Sequence, residues 1–222
     1  MNNNYSAALD LSGREAGFAL LDGAEIVLSG VRPMRGRDSA QLAAWIAAEL
    51  DRAGVELGSV AKWSVGSGPG SFTGMRLAAA LVNGWTFGKP GIESRCVPTA
   101  VALAANFSAP AEGSRIGALF DGRNRELIFF EMQIRNGEPV PSGVEKVLNA
   151  EQAAEFFASY SGERLIAFEA ELSALEKLLA PDIAAKLEAF ASIRPEALAL
   201  SRYKPFDNNL ADLVYIRPAV FS

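Results

Sequence analysis

The chain has 222 residues, 50% of them hydrophobic and 21% charged, with a formal net charge of −5 and a pI near 5.0. That length allows one large or two small domains, and the acidic balance argues against independent nucleic-acid binding, which needs a basic face. There is no histidine, which removes Ser-His-Asp and Cys-His catalysis, zincin-type sites and imidazole acid–base chemistry together; any metal would be a hard cation on oxygen ligands, such as magnesium. The single Cys96 excludes an internal disulfide and suits a reducing compartment. MNNNYSAALD has neither a basic n-region nor a long apolar run, so no signal peptide is read. No window reaches the roughly 18 apolar residues of a membrane span, and the expected location is cytoplasmic.

Residues 6–31 read as three strands: SAALDL, AGFALLD and AEIVLSGV, the last two joined by the hairpin signal Asp22-Gly23. Residues 39–53 read as a helix with Leu42, Trp45, Ile46 and Leu50 on one apolar stripe, and with Ala43, Ala44, Ala47 and Ala48 spread over the other faces. Residues 60–88 carry the most distinctive stretch. An apolar run ends in glycines at 66, 68, 70 and 74, with Pro69 among them, and a helix starts at Ser71 or Thr73. Strand, glycine turn and helix start make a natural anion cradle, and equally a tight turn using glycine only for geometry. Generic phosphate motifs do not fit. No lysine lies between Lys62 and Lys89 for a P-loop, the third glycine of a dinucleotide fingerprint is Ser71 or Thr73, and Gly-x-Ser-x-Gly is absent. In the helix that follows, Ala78, Leu81, Val82 and Trp85 form the core stripe, and Arg76 is the only charge between Met75 and Gly88. A helix with one face on a sheet normally shows water a charged back. Either this one is buried within the chain, or another protein covers it.

The string GSGPGSFTGMR resembles the signature of the bacterial TsaB (YeaZ) family, within the actin-like ATPase superfamily. The resemblance implies an α/β fold of two actin-like, RNase H-like lobes, each a mixed sheet with flanking helices. The N-terminal lobe is expected over residues 1–107 and a smaller C-terminal lobe over 108–222, with the last segment packing back on the first. Asp10 and Ser12 align with the family's ALDTS pattern. In active superfamily members that acidic residue organises a water-bound magnesium; on its residues alone Asp10 is a strand-end carboxylate capping a turn. Weak ATP or ADP binding with Mg2+ at Asp10, Ser12, Gly68, Gly70, Ser71 and Thr73 therefore stays open, and no firm cofactor, catalytic residue or resident metal is expected. The resemblance also implies a partner or dimer face on the first-lobe helices, assigned to Leu42, Ala43, Trp45, Ala47, Met75, Ala79, Val82 and Asn83. One departure is Arg37-Asp38-Ser39, where the family commonly has Arg-x-His-Ser; Asp38 still suits a helix start.

Further on, residues 92–97 read as a strand and 99–106 as a helix, and SAPAEGS marks the lobe boundary. IGALFDGRNRELIFFEMQI reads as two strands about Gly122-Arg123-Asn124, and resembles the family's Asp-Ala-Arg-x-x-Glu segment at Asp121, Arg123 and Glu126. Strand, acidic residue and hairpin thus recur in both halves. Helices are expected over 150–160, 172–179 and 195–203, a strand over 164–168, and packing back over 213–218.

The function implied is a scaffold and activating subunit, not an enzyme by itself, for the complex that transfers threonylcarbamoyl to the tRNA adenosine beside the anticodon. Its implied partners are a TsaD-type catalytic subunit and a TsaE-type P-loop ATPase, with homodimerisation when alone and tRNA contact only through the complex. The alternative is a stand-alone dimeric nucleotide-binding module or a small-molecule kinase of the superfamily. A kinase should carry a second glycine-rich adenosine loop, and after Gly143 the chain has only Gly162. A protease would need a base for its nucleophile.

Overall fold

The computed structural model describes residues 5–34, 36–107 and 110–214. They form two units. One comprises the described residues of Met1–Ala102 together with Arg194–Val214; the other comprises those of Leu103–Ile193.

The first unit is built on a five-stranded sheet in the order β3-β2-β1-β4-β5. Its strands are β1 (Tyr5–Asp10), β2 (Glu15–Asp22), β3 (Glu25–Pro33), β4 (Val60–Gly66) and β5 (Glu93–Val97). β1, β2 and β3 pair antiparallel, with Gly23 at a positive φ in the Asp22-Gly23 turn, while β1, β4 and β5 run parallel. Alternation along the strands decides what each face meets. Ala7, Leu9, Phe18, Leu20, Trp63 and Val65 share one buried cluster with Leu42, Ile46 and Leu50 of α1 (Leu42–Arg52) and Ala78 and Val82 of α2 (Phe72–Thr86). Each of the large side chains buried there contributes about 1.5–3 kcal/mol. A 3-10 turn, Gly36–Gln41, precedes α1, so the regular helix starts later than its apolar pattern.

Ser64 falls between Trp63 and Val65 and therefore faces the other side. There its Oγ accepts from Arg95 Nε at 3.0 Å. The guanidinium also donates to the carbonyls of Leu198, Ala199 and Lys204, fastening the returning segment that contains α7 (Glu196–Leu200). α7 lies against β1, β2 and β4. Asn208 adds a second fastening, its Oδ1 accepting from the Ser94 N–H at 2.7 Å and its own N–H donating to the Ser94 carbonyl at 2.8 Å. The expected packing of 213–218 falls mostly outside the described residues; within them, the Val214 N–H donates to the Ser67 carbonyl at 2.9 Å. Cys96 is buried, and burial pushes its thiol up to about 12.

α3 (Thr99–Ala104) follows β5. The second unit has the sheet order β10-β9-β6-β7-β8. Its elements are β6 (Arg115–Asp121), β7 (Leu127–Arg135), β8 (Glu138–Leu148), α4 (Ala150–Ser159), β9 (Arg164–Phe168), α5 (Leu172–Leu175), α6 (Pro181–Ala184) and β10 (Leu187–Phe190). β6, β7 and β8 pair antiparallel, and β6, β9 and β10 run parallel. Phe129 and Phe157 anchor its core, with the rings of Phe156 and Tyr160 packed edge-on against Phe129. The α/β class, with two mixed sheets and flanking helices, is as the resemblance implies. Two strands the periodicity does not reveal are β8 and β10, and the expected helices over 172–179 and 195–203 shorten to α5 and α7.

Candidate functional site

Three parallel strands end side by side: β1 at Asp10, β4 at Gly66 and β5 at Val97, with Leu9 opposite Val65 and Gly66 opposite Val97. In open α/β sheets, ligands bind beyond these carboxyl ends. Past Gly66 the chain folds back over the end of β1. The Ser67 N–H donates to the Val97 carbonyl at 2.9 Å, and the Ser71 N–H to the Ser12 carbonyl at 2.6 Å. Ser71 then caps α2, its Oγ accepting from the Gly74 N–H at 3.2 Å.

Close approach explains three of the glycines. A Cβ on Gly66 would stand 1.8 Å from Asp10 Oδ2, one on Gly70 2.3 Å from the Ser12 carbonyl oxygen, and one on Gly74 1.8 Å from the Leu11 carbonyl oxygen. Real Cβ atoms never come so near, so loop and helix press on the end of β1 at a distance only glycine permits. Gly68 has φ 95°, a backbone region that other residues rarely adopt.

At the centre lies Asp10, 2% exposed. Its Oδ1 accepts from the Ser12 N–H and the Ser12 hydroxyl, each at 2.8 Å, and its Oδ2 accepts from the Thr99 hydroxyl. The two hydroxyls are themselves 2.8 Å apart. Thr99 completes the knot: its Oγ1 accepts from the Gly68 N–H at 3.1 Å, and its own N–H donates to the Gly68 carbonyl at 2.6 Å. Burial pushes the Asp10 carboxyl above its ordinary value, and the bonds from Thr99 and Ser12 pull the other way. Asp10, Ser12 and Gly68 thus meet through Thr99, a residue sequence reasoning places only at a helix start; the signal available was a hydroxyl after Pro98 and ahead of an apolar run. Gly70 and Thr73 are exposed and Ser71 is half-buried.

The residues assigned to a partner face divide in two. Leu42, Met75 and Val82 are at most 2% exposed, so they are not on that face; helical periodicity points Leu42 and Val82 into the core they share with the sheet, and Met75 lies against Gly68 of the glycine loop. Trp45 is half-buried, edge-on to Phe18 at 6.1 Å, with its Nε1 donating to Glu49 Oε1 at 2.8 Å. Ala79 is half-buried, while Ala43, Ala47 and Asn83 are exposed, as are Ala44, Ala48, Ala80 and Gly84. Two aromatics that sequence reasoning missed join the outer side: Phe72, 37% exposed, and Phe87 just past α2, 83% exposed. The Arg76 guanidinium lies 3.8 Å from the Phe72 ring centroid.

A profile of the family described as TsaD, tRNA N6-adenosine threonylcarbamoyltransferase, matches residues 29–204. The chain belongs to this family. Within solved structures this TsaD-family chain is similar to YeaZ from Pseudomonas aeruginosa, at 26% identity over 88% of each chain with a TM-score of 0.71. That match agrees with the resemblance carried by GSGPGSFTGMR. Ethanolamine utilization protein EutJ from Carboxydothermus hydrogenoformans shares the fold alone, at 13% identity over 88% of this chain and 87% of that one with a TM-score of 0.51. No curated protein matches the chain. Among the described residues no helix is long and apolar enough to cross a membrane.

Proposed function

We propose that this chain is the scaffold and activating subunit, not the catalyst, of the bacterial assembly that transfers threonylcarbamoyl to the tRNA adenosine beside the anticodon. The observation that carries this reading is the outer side of α1 and α2, where exposed alanines, Gly84, Phe72 and Phe87 stand with little charge among them. Depletion of charge with aromatic anchors is the composition of an interface core, and small residues let two helix pairs approach to about 8 Å. A TsaD-type catalytic subunit is the occupant, and a second copy of this chain takes its place when that subunit is absent. A TsaE-type P-loop ATPase is the third component, and tRNA is met only through the complex.

The corner at Asp10 supports the division of labour. A magnesium-bound nucleotide would need a carboxylate open to the metal's water shell and a cation for the phosphates. Here both Asp10 oxygens are spent on Ser12 and Thr99, and Gly66 closes over Oδ2. The residues as folded do not fit that group, so no catalytic step is assigned to it. The test is reconstitution of tRNA modification from the TsaD-type and TsaE-type components with and without this chain. The expected result is loss of modification on omission. Unchanged modification without the chain, or ATP turnover by the chain alone, overturns the reading.

A further inference from the structure

The sequence holds two Asn-Gly pairs, Asn83-Gly84 and Asn136-Gly137. In such a pair the glycine backbone nitrogen reaches the preceding side-chain amide with least obstruction, because glycine carries no Cβ. The fold treats the two differently. Asn83 and Gly84 lie inside α2, where the helix ladder occupies the Gly84 N–H and holds the backbone in one well. Asn136 and Gly137 are the two loop residues between β7 and β8, with Arg135 opposite Glu138. Both are exposed, with φ 53° and 74°, as in a type I′ turn. That turn is held from outside by one carboxylate. The Asn136 N–H donates to Glu112 Oε1 at 2.9 Å, and the Gly137 N–H to Glu112 Oε2 at 3.0 Å. Glu112 is placed by a turn of its own, in which the Ser114 N–H donates to the Ala111 carbonyl at 3.1 Å and the Gly113 N–H to the Ile134 carbonyl at 2.9 Å.

We propose that Asn136 is a spontaneous modification site, converting through a cyclic imide to aspartate or isoaspartate, with the Glu112 carboxylate as its brake. The Gly137 nitrogen gives up its proton to solvent base and attacks the Asn136 side-chain carbonyl carbon. The new N–Cγ bond closes a five-membered imide while the Cγ–Nδ2 bond breaks, and Nδ2 takes a proton from water and leaves as ammonia. Water then opens the imide at either carbonyl, so water is the one co-reactant and no electrons change hands. The brake acts on the first step, in which the attacking nitrogen must carry negative charge. Glu112 Oε2 stands 3.0 Å from that nitrogen, and a like charge so near disfavours the anion. The same hydrogen bond ties the nitrogen to Glu112 and away from the Asn136 side chain. The product places a second carboxylate beside Glu112, and isoaspartate also lengthens the backbone by a methylene, which works against a two-residue turn. The loosening falls on β8, an edge strand paired only with β7. This inference does not rest on the proposed subunit role.

The test is peptide mass mapping of the full chain during incubation in mildly alkaline buffer, for the wild type, Glu112→Ala and Glu112→Gln, with Asn83 read in the same digests. The expected result is amide-to-acid conversion at Asn136 and not at Asn83, about fivefold or more faster in both Glu112 variants than in the wild type. A variant that unfolded would release both pairs together, so an unchanged Asn83 shows that the faster conversion at Asn136 is local. One rate at Asn136 in all three proteins, no conversion there in any of them, or conversion at Asn83 ahead of Asn136 would each overturn the proposal.

Discussion

The two units carry one sheet design twice. Each has three antiparallel strands and two parallel ones in the same order, β3-β2-β1-β4-β5 in the first and β8-β7-β6-β9-β10 in the second. In both, the central strand ends on an aspartate. Asp10 of β1 is buried and knotted to Ser12 and Thr99, whereas Asp121 of β6 is half-buried, its Oδ1 accepting from the Arg123 N–H at 2.8 Å in an exposed turn. The strand after it leads to the glycine loop and the 15-residue α2 in the first unit, and to a 3-10 turn and the four-residue α5 in the second. Their helix backs differ too: α4 exposes Glu151 and Glu155, while α1 and α2 expose alanines along their middles. The same sheet therefore serves two ends. One copy is closed by glycine-enabled contact and exposes alanines with few charges among them; the other shows water an ordinary charged surface.

The strongest way to break this contrast is Gly74→Ala. Its Cβ would meet the Leu11 backbone at 1.8 Å, which cannot give, so a loss of 3 kcal/mol or more is expected, in the range of severe overpacking. Gly122→Ala in the second unit meets its nearest atom, the Glu126 carbonyl oxygen, at 2.9 Å, and should cost distinctly less by urea denaturation. Equal losses would remove the distinction between the two corners.

Next in size is a charge on the α2 back. Ala80→Glu should weaken partner binding or self-association by about tenfold or more, equal to about 1.4 kcal/mol, while stability moves by no more than about 0.5 kcal/mol. Ala158→Glu on α4 is the matched control and should change neither; analytical ultracentrifugation and pull-down read both. An effect from the α4 change alone would reverse the assignment of faces.

Asp10→Asn should cost about 1–3 kcal/mol through the disturbed hydrogen-bond knot, and its pH dependence sharpens the point. A carboxyl raised in the folded state adds stability that is complete below its ordinary value and is lost as pH rises through the raised one. The stability of the wild type relative to the Asn variant should therefore fall as pH rises above the ordinary carboxylate value. A difference that grows with pH would mean the carboxylate form is the one the corner favours. The smallest effect is Gly84→Ala. Nothing lies within 4 Å of its Cβ position, so about 0.5–1 kcal/mol of helix stability is gained, with partner binding weakened by the added methyl.

Much of the first unit could be read from residue order because its signals are local. Asp22-Gly23 marks a hairpin, the stripe through Leu42, Ile46 and Leu50 marks a helix, and Ser71 marks a cap. β8 was hidden because Pro139, Pro141 and Gly143 read as loop; as an edge strand paired only with β7, it tolerates them. At the Asp10 corner the glycines were visible but their reason was not, since it lies in what faces them from another strand. Thr99 was invisible as a site residue for the same cause: its partner is 89 positions away. Leu42, Met75 and Val82 were placed on the partner face although their own periodicity points inward, which shows that helical spacing outranks a residue's membership of a likely surface segment.

Arg95 gives the order of assembly a direction. Its guanidinium is buried against carbonyls at positions 198, 199 and 204, so a ribosome that has delivered only the first hundred residues presents it with the Ser64 hydroxyl but without those three acceptors. During synthesis the strands of the first sheet are therefore made well before the segment that fastens Arg95 on its outer face.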